Sequence, residues 1–401
     1  MSAVRGGTIR LPLIVAGTFL LAACAIAQGN DLDGRSAAPP ASRWIDVSAT
    51  HLPQGAWLGA SMEARAADLD GDGDLDLLIA KEKRLNVLLL NDGHGRFTDA
   101  SDRLPRTRHD SEDIAVGDFD GDGDLDAVLA SEDDAVPEYY VNDGGARFSD
   151  ADARLPLRAV CNAVAAGDVD GDGDLDLVFG CDGAEHVMMN DGHGTFSDET
   201  FGPLAAARDV TQDVALGDVD RDGDLDLLVG NEDGNRLYLN TRGVFVDATG
   251  RIPPPPAPEE TRNADLADVD GDGDLDAFFS NVTFSGKDPQ GRLLLNDGQG
   301  RFTDATAARL PRMTWSTMDG DFADVDRDGD LDLVTTSIPD GGRPRVYRND
   351  GRGNFTEASD AWFPHELRAE GIEVEVADFD GDGRLDVYLA NYRGPDRLLL
   401  A

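Results

Sequence analysis

A nine-residue motif, Asp-x-Asp-Gly/Arg-Asp-Gly-Asp/Arg-Leu-Asp, occurs seven times in this 401-residue chain, starting at Asp68, Asp118, Asp168, Asp218, Asp268, Asp324 and Asp378. Successive copies are 50, 50, 50, 50, 56 and 54 residues apart. A fixed period of this size marks a repeat architecture, in which each unit is too small to bury its own apolar face and has to stack on a neighbour. Every period also carries one dense cluster of carboxylates, so a single pattern constrains both the fold and the ligand.

The first repeat shows the secondary structure to expect. Ala64 to Ala67 leads into the motif, and the apolar run Leu75 to Ala80 follows it. Next come Asn86 to Leu90, the turn Asn91-Asp92-Gly93-His94-Gly95, and Arg96 to Ala100. Short apolar runs bounded by Gly, Asn and Asp read as strands, and Asn-Asp-Gly is hairpin chemistry. The turn recurs at Asn142, Asn190, Asn296 and Asn349, with a variant at Asn240-Thr241-Arg242-Gly243. Each period therefore predicts four strands and no helix, which is the size of a propeller blade. The expected fold is all-β, a seven-bladed β-propeller of four-stranded blades.

The chain ends support closure. The last repeat stops at Arg397 to Ala401, after its third strand, while Trp44-Ile45-Asp46-Val47-Ser48 matches the fourth-strand pattern Phe-Thr-Asp-Ala-Ser. The N-terminal strand is expected to complete the last blade, which would remove a sheet edge open to aggregation.

Acidic residues outnumber basic ones 79 to 35, giving a formal charge of -44. Such a charge repels nucleic acid and anionic lipid and opposes compaction unless cations neutralise it. The seven motifs alone contain 34 aspartates, so the acidity is concentrated where a cation can use it.

Residues 1–23 read as an export leader: Arg5 and Arg10 precede an apolar stretch, Leu11 to Ala23, too short to span a bilayer. Leu21-Ala22-Ala23-Cys24 resembles the bacterial lipobox, in which the cysteine is lipidated. That resemblance implies an exported, outer-membrane lipoprotein facing the periplasm or cell surface. Ordinary cleavage after Ala25-Ile26-Ala27 is the alternative. Residues 24–43, rich in Ala, Ser, Pro and Gly, then form a flexible tether, and residues 44–401 form the repeat domain. Cys161 and Cys181 flank the third motif almost symmetrically, which places them opposite each other if the flanking strands are antiparallel. In an exported protein they can form a disulfide; two buried free thiols are the alternative.

The motif suits calcium, a hard cation that takes six to eight oxygens, whereas magnesium prefers near-ideal octahedral geometry and keeps its waters. By analogy with the EF-hand loop, motif positions 1, 3, 5 and 9 supply carboxylates and position 7 a backbone carbonyl. The candidate ligand sets are Asp68, Asp70, Asp72, Asp74 and Asp76; Asp118, Asp120, Asp122, Asp124 and Asp126; Asp168, Asp170, Asp172, Asp174 and Asp176; and Asp218, Asp220, Asp222, Asp224 and Asp226. The remaining three are Asp268, Asp270, Asp272, Asp274 and Asp276; Asp324, Asp326, Asp328, Asp330 and Asp332; and Asp378, Asp380, Asp382, Arg384 and Asp386. Arg384 at position 7 suits a residue that contributes only its carbonyl. Position 4, Gly or Arg, is expected to face solvent, and the invariant glycine at position 6 to adopt a positive φ. Up to seven structural Ca2+ ions are implied.

These repeats resemble the FG-GAP or VCBS repeats of the integrin α-subunit propeller class, over residues 44–401. The resemblance implies a binding, adhesion or scaffold module at the envelope, with an envelope protein or a glycan as partner; a glycan-binding, lectin-like module is the alternative, and an enzyme acting on an envelope polysaccharide comes after it. The six histidines are scattered, and no nucleophile motif, phosphate loop or His-Cys zinc cluster appears. Away from the acidic loops, Trp57, Trp315, Trp362, Phe284 and Tyr392 fall in variable connections. They either cover the packing between units or form a ligand surface for sugars or proteins. A polar row before the motifs (Glu63, Asp113, Asp213, Asn263, Asp319, Glu373) lines a central channel, caps strands or supports the loops.

Overall fold

The computed structural model describes residues 44–54, 59–132, 135–284, 286–338 and 342–401. The leader, the tether with Cys24, and Trp57 lie outside the described residues. Each repeat is an antiparallel four-stranded unit, and the acidic motif is the loop between its first and second strands. In the first repeat Ser61–Ala67 pairs with Asp76–Lys81, the pair Ala67↔Asp76 closing the loop, followed by Val87–Leu90 and Thr98–Asp99. The equivalent closing pairs are Gly117↔Asp126, Gly167↔Asp176, Gly217↔Asp226, Ala267↔Asp276, Ala323↔Asp332 and Ala377↔Asp386. The N-terminal strand Ile45–Asp46 lies antiparallel to the C-terminal strand Arg397–Leu400, with Ile45 opposite Leu400.

The expectation of seven separate propeller blades is corrected. Among the described residues the strands form six sheets, five of four strands and one of eight, and none closes on itself into a barrel. The third and fourth repeats are fused, because the second strand of the third repeat runs on to Gly183 and pairs there with the fourth (Asp182↔Val210, Gly183↔Asp209). Gly183 has φ +118° and open space where a Cβ would stand, so the strand can extend at that point without a clash. The likeness to the integrin-type propeller goes with that correction. What the structure has is a tandem, all-β array of four-stranded antiparallel units. A second correction concerns helices: single helical turns follow several fourth strands, such as Ser48–His51, Gly202–Ala206, Thr306–Arg309 and Ser359–Trp362. They are too short for helical periodicity to register in the sequence.

Apolar faces of successive sheets pack together, so each hydrophobic cluster draws on two repeats. Leu78 and Leu88 of the first repeat meet Ile114 and Leu129 of the second. Val334 and Val346 of the sixth meet Val374 and Leu389 of the seventh, and Leu77 and Leu89 of the first meet Tyr388 and Leu398 of the seventh. Trp44 is the largest plug in this arrangement. It is 1% exposed, stacks on Trp362 and Phe363 at centroid distances of 5.0 and 4.9 Å, and donates its indole N–H to the Leu385 carbonyl at 2.7 Å.

Two recurrent cross-strand features stitch the units. In the fourth and fifth repeats Thr211 and Thr261 donate hydroxyls to Asn231 and Asn281 across the first strand pair, at 2.8 and 2.9 Å. The third repeat has Cys161 opposite Cys181 at the equivalent position, with a 2.06 Å S–S bond in place of that hydrogen bond. The acidic row before the motifs binds the next repeat: Asp113 accepts the Val164 N–H at 2.7 Å, Asp213 that of Ala264 at 2.7 Å, and Asp319 that of Val374 at 2.9 Å. Glu375 accepts the Ala66 N–H of the first repeat at 3.3 Å, and its neighbour Arg65 lies 2.7 Å from Glu63.

Truncating Trp44 to Ala should cost about 3–5 kcal/mol, the usual range for a fully buried aromatic. Urea denaturation checks this; a loss below about 1 kcal/mol would mean that the chain ends do not hold the last repeat.

Candidate metal centre

The acidic loop is built by its own carboxylates. In all seven copies position 1 accepts the N–H of the position 6 glycine, as Asp68 Oδ2 does from Gly73 at 3.1 Å. Position 5 accepts the N–H of position 7, as Asp72 Oδ1 does from Asp74 at 3.0 Å. These bonds curl the chain so that the carboxylates converge. The position 6 glycine has φ near +96° in the first loop, and position 4 is left-handed too, with Arg221 at +61° and Arg327 at +63°. Position 4 is exposed as expected, but its left-handed backbone was not foreseen from its occupancy by Gly or Arg.

Position 9 is the buried end of the loop. Asp76 accepts the Leu69 N–H on Oδ2 at 3.1 Å and the Asn91 N–H on Oδ1 at 2.9 Å, and is fully buried. Burial pushes Asp76, Asp126, Asp176, Asp226, Asp276, Asp332 and Asp386 up to about 7, well above an ordinary aspartate. A cation in the loop would reverse that shift by favouring the charged carboxylate.

The turn asparagine does more than form a hairpin. Asn190 is buried and donates its Nδ2 hydrogens to two loops at once. One goes to the Leu175 carbonyl of its own motif at 3.0 Å, the other to the Phe119 carbonyl of the preceding motif at 2.8 Å. Asn142, Asn240, Asn296 and Asn349 repeat the pattern, and Asn91 reaches the Phe379 carbonyl of the seventh repeat at 2.8 Å. The turn glycine is equally constrained, since a Cβ at Gly192 would stand 2.4 Å from the Asp174 carboxylate. The sequence shows these residues recurring; their partners, 71 to 80 residues away in most repeats, are visible only in the fold.

The residues fit a bound cation. Carboxylate oxygens of Asp68, Asp70 and Asp76 can lie within 4.8 Å of one another, as can those of Asp118, Asp120 and Asp122, of Asp168, Asp170 and Asp176, and of Asp218, Asp220 and Asp226. Position 3 carries a more specific sign: Asp70, Asp120, Asp220, Asp270 and Asp326 each hold a buried Oδ1 with no hydrogen-bond partner. An orphaned carboxylate oxygen at the same place in five repeats is costly unless an ion satisfies it. The all-oxygen donor set favours a hard divalent cation.

The aromatic candidates do not gather into one surface. Trp362 is 2% exposed and packs on Trp44, which removes it from any ligand face. Trp315 is half-buried under the Arg345 guanidinium, 3.5 Å from its ring centre. Tyr392 is half-buried, and Phe284 is 50% exposed with Arg262 at 5.1 Å. Among the described residues no nucleophile and base are assembled as catalytic machinery, and no helix is long and apolar enough to cross a membrane.

Replacing Asn190 by Ala removes two hydrogen bonds and strands two carbonyls, a loss of about 2–4 kcal/mol readable by urea denaturation. The position 9 carboxylates give a pH signature. Their folded pKa lies above the unfolded one, so in chelated protein their favourable contribution is complete below about pH 4 and lost as pH rises through about 7. With divalent cations chelated, calorimetry should therefore give a higher Tm at pH 5 than at pH 7.5. Restoring the cation should recover more stability at the higher pH; a chelated Tm that rises with pH contradicts the burial account.

No curated protein matches the chain. Among solved structures it resembles an Agrocybe aegerita lectin that recognises non-reducing terminal N-acetylglucosamine, at 19% identity over 85% of this chain and 88% of that one, TM-score 0.50. It also resembles BBS1N, solved in complex with ARL6DN, at 13% identity over 90% and 97% of the two chains, TM-score 0.56. A third is the extracellular domain of a protein assigned as a hybrid two component system of B. thetaiotaomicron, at 13% identity over 89% and 39%, TM-score 0.53. At these identities the likeness is one of fold. The family model of the FG-GAP-like repeat matches residues 68–129, 118–179, 168–229, 218–279, 282–335 and 336–389, well over half of the chain. The chain belongs to the FG-GAP-like repeat family.

Proposed function

We propose that this chain is a calcium-stabilised binding module, acting in adhesion or as a scaffold at a bacterial cell envelope. The observation that carries the calcium reading is the orphaned position 3 oxygen, repeated in Asp70, Asp120, Asp220 and Asp270 beside carboxylates already drawn together. Positions 1, 3, 5 and 9 would supply carboxylate oxygens and position 7 a carbonyl. The ions serve structure: in six of the seven repeats a turn asparagine ties the loop to that of a neighbouring repeat, so a filled loop holds two repeats. Extracellular calcium modules bind at roughly 0.1–1 mM, which at ~1 mM calcium gives about 0.4–1.4 kcal/mol per site. Summed over several loops, this rivals the typical stability of a whole domain, about 5–15 kcal/mol.

The envelope location rests on the leader over residues 1–23, the lipobox-like Leu21-Ala22-Ala23-Cys24 and the tether to residue 43. A formal charge of -44 disfavours nucleic acid and anionic lipid and leaves a protein or a neutral glycan as partner. A protein partner is the better reading, because Trp362 and Trp315, two of the rings available for stacking on sugars, are covered by other side chains. The glycan reading keeps Phe284, half-exposed at 50%, and the lectin likeness as its support.

Chelation should lower the Tm by about ten degrees or more in calorimetry. An unchanged melt would sink the structural role of calcium. A glycan array with and without calcium, run beside pulldown from envelope extracts, separates the partners. Protein capture that needs calcium, with no sugar signal, is the expected result; sugar binding lost in Phe284→Ala would favour the lectin-like reading.

A further inference from the structure

The seven loops are not equivalent. In six repeats the residue before the turn asparagine, or before Ala401 in the last, is apolar: Leu90, Val141, Met189, Leu239, Leu295 and Leu400. In the sixth it is Arg348. Its Nη2 lies against Asp326 Oδ2 and 2.7 Å from Asp328 Oδ2, and its Nε is 3.3 Å from Asp332 Oδ1. These are motif positions 3, 5 and 9, three of the four carboxylates assigned to the ion. Elsewhere position 9 accepts the N–H of position 2, whereas here the Val325 N–H goes to the Ala323 carbonyl at 2.9 Å.

We propose that the Arg348 guanidinium takes the place of the cation in the sixth loop, so that the chain binds one calcium ion fewer than its motifs would allow. The inference rests on the calcium reading above. A guanidinium is planar, permanently charged and able to donate to several carboxylates at once. Being part of the chain, it enters the loop without the translational cost that a free ion bears. An ion entering the sixth loop has to break those three contacts. Arg348 already holds one oxygen of each of Asp326, Asp328 and Asp332, so none of these three carboxylates is free to turn both oxygens to an ion.

The other arginines near the loops do not do this. Arg384 binds only Asp382, at position 5, and its side chain is 42% exposed. Arg221 reaches across to Asp274 at 2.6 Å, but position 7 contributes a carbonyl rather than its carboxylate.

Bound calcium counted by native mass spectrometry and equilibrium dialysis on the full chain, at saturating calcium, tests this. Arg348→Leu, which restores the residue type of the other repeats, should bind one ion more than the wild type. Equal, non-zero counts would overturn the proposal. A second pair keeps the test decisive if that variant folds poorly: Asp326→Asn should leave the wild-type count unchanged, while Asp70→Asn should lower it by one. A loss of one ion in Asp326→Asn overturns the proposal while leaving the calcium reading intact. No calcium bound to any of the proteins would sink both.

Discussion

The structure depends on one short interaction made again and again: a buried asparagine whose amide spans two acidic loops. Asn142 holds the Leu125 carbonyl of its own motif at 3.1 Å and the Leu69 carbonyl of the previous one at 2.8 Å. Asn91 carries the chain of contacts from the first repeat to Phe379 in the seventh. A backbone carbonyl inside the fold has to be paired, and only a side chain with two amide hydrogens at that height can pair two of them. Where the seventh repeat lacks the asparagine, the Trp44 indole N–H takes the Leu385 carbonyl instead. The acidic loop is thereby made part of the contact between repeats and not an appendage to it.

Charge follows from that placement. Carboxylates crowded into loops that also join repeats would drive the repeats apart if left bare, and a formal charge of -44 makes the problem global. The chain meets it in three ways. The acidic loops, with orphaned oxygens at position 3, gather the carboxylates where a cation could neutralise them. Inner-strand acids answer it by taking backbone N–H groups of the next repeat, as Asp213 does from Ala264. Arginines answer it locally, as Arg65 does beside Glu63 and Arg348 does in the sixth loop.

The period, the four strands per unit, the loop position and the strand exchange between chain ends were all readable from the spacing of motifs and turns. Seven separate blades were not what formed, because the fusion of the third and fourth repeats turns on a local extension to Gly183 that no periodicity reports. The asparagine was read as a turn residue, since its second partner lies in another repeat and leaves no mark within its own. Arg348 did leave a mark: it is the one charged residue in a column of apolar ones, and aligning the repeats at the turn rather than at the motif would have found it. For Trp362 a position in a variable connection left packing and a ligand surface both open, and the helical turn Ser359–Trp362 decides for packing by pointing it into the core beside Trp44.

Hydrogen–deuterium exchange in calcium and in chelator tests most directly whether the loops fasten the repeats together. Calcium should slow exchange at the amides folded over position 1, such as Gly73, Gly123 and Gly173, and at the turn asparagines that follow them. Gly329, in the loop that Arg348 closes, should exchange at the same rate in both conditions. Exchange unchanged by calcium at Gly73, Gly123 and Gly173 would contradict the account.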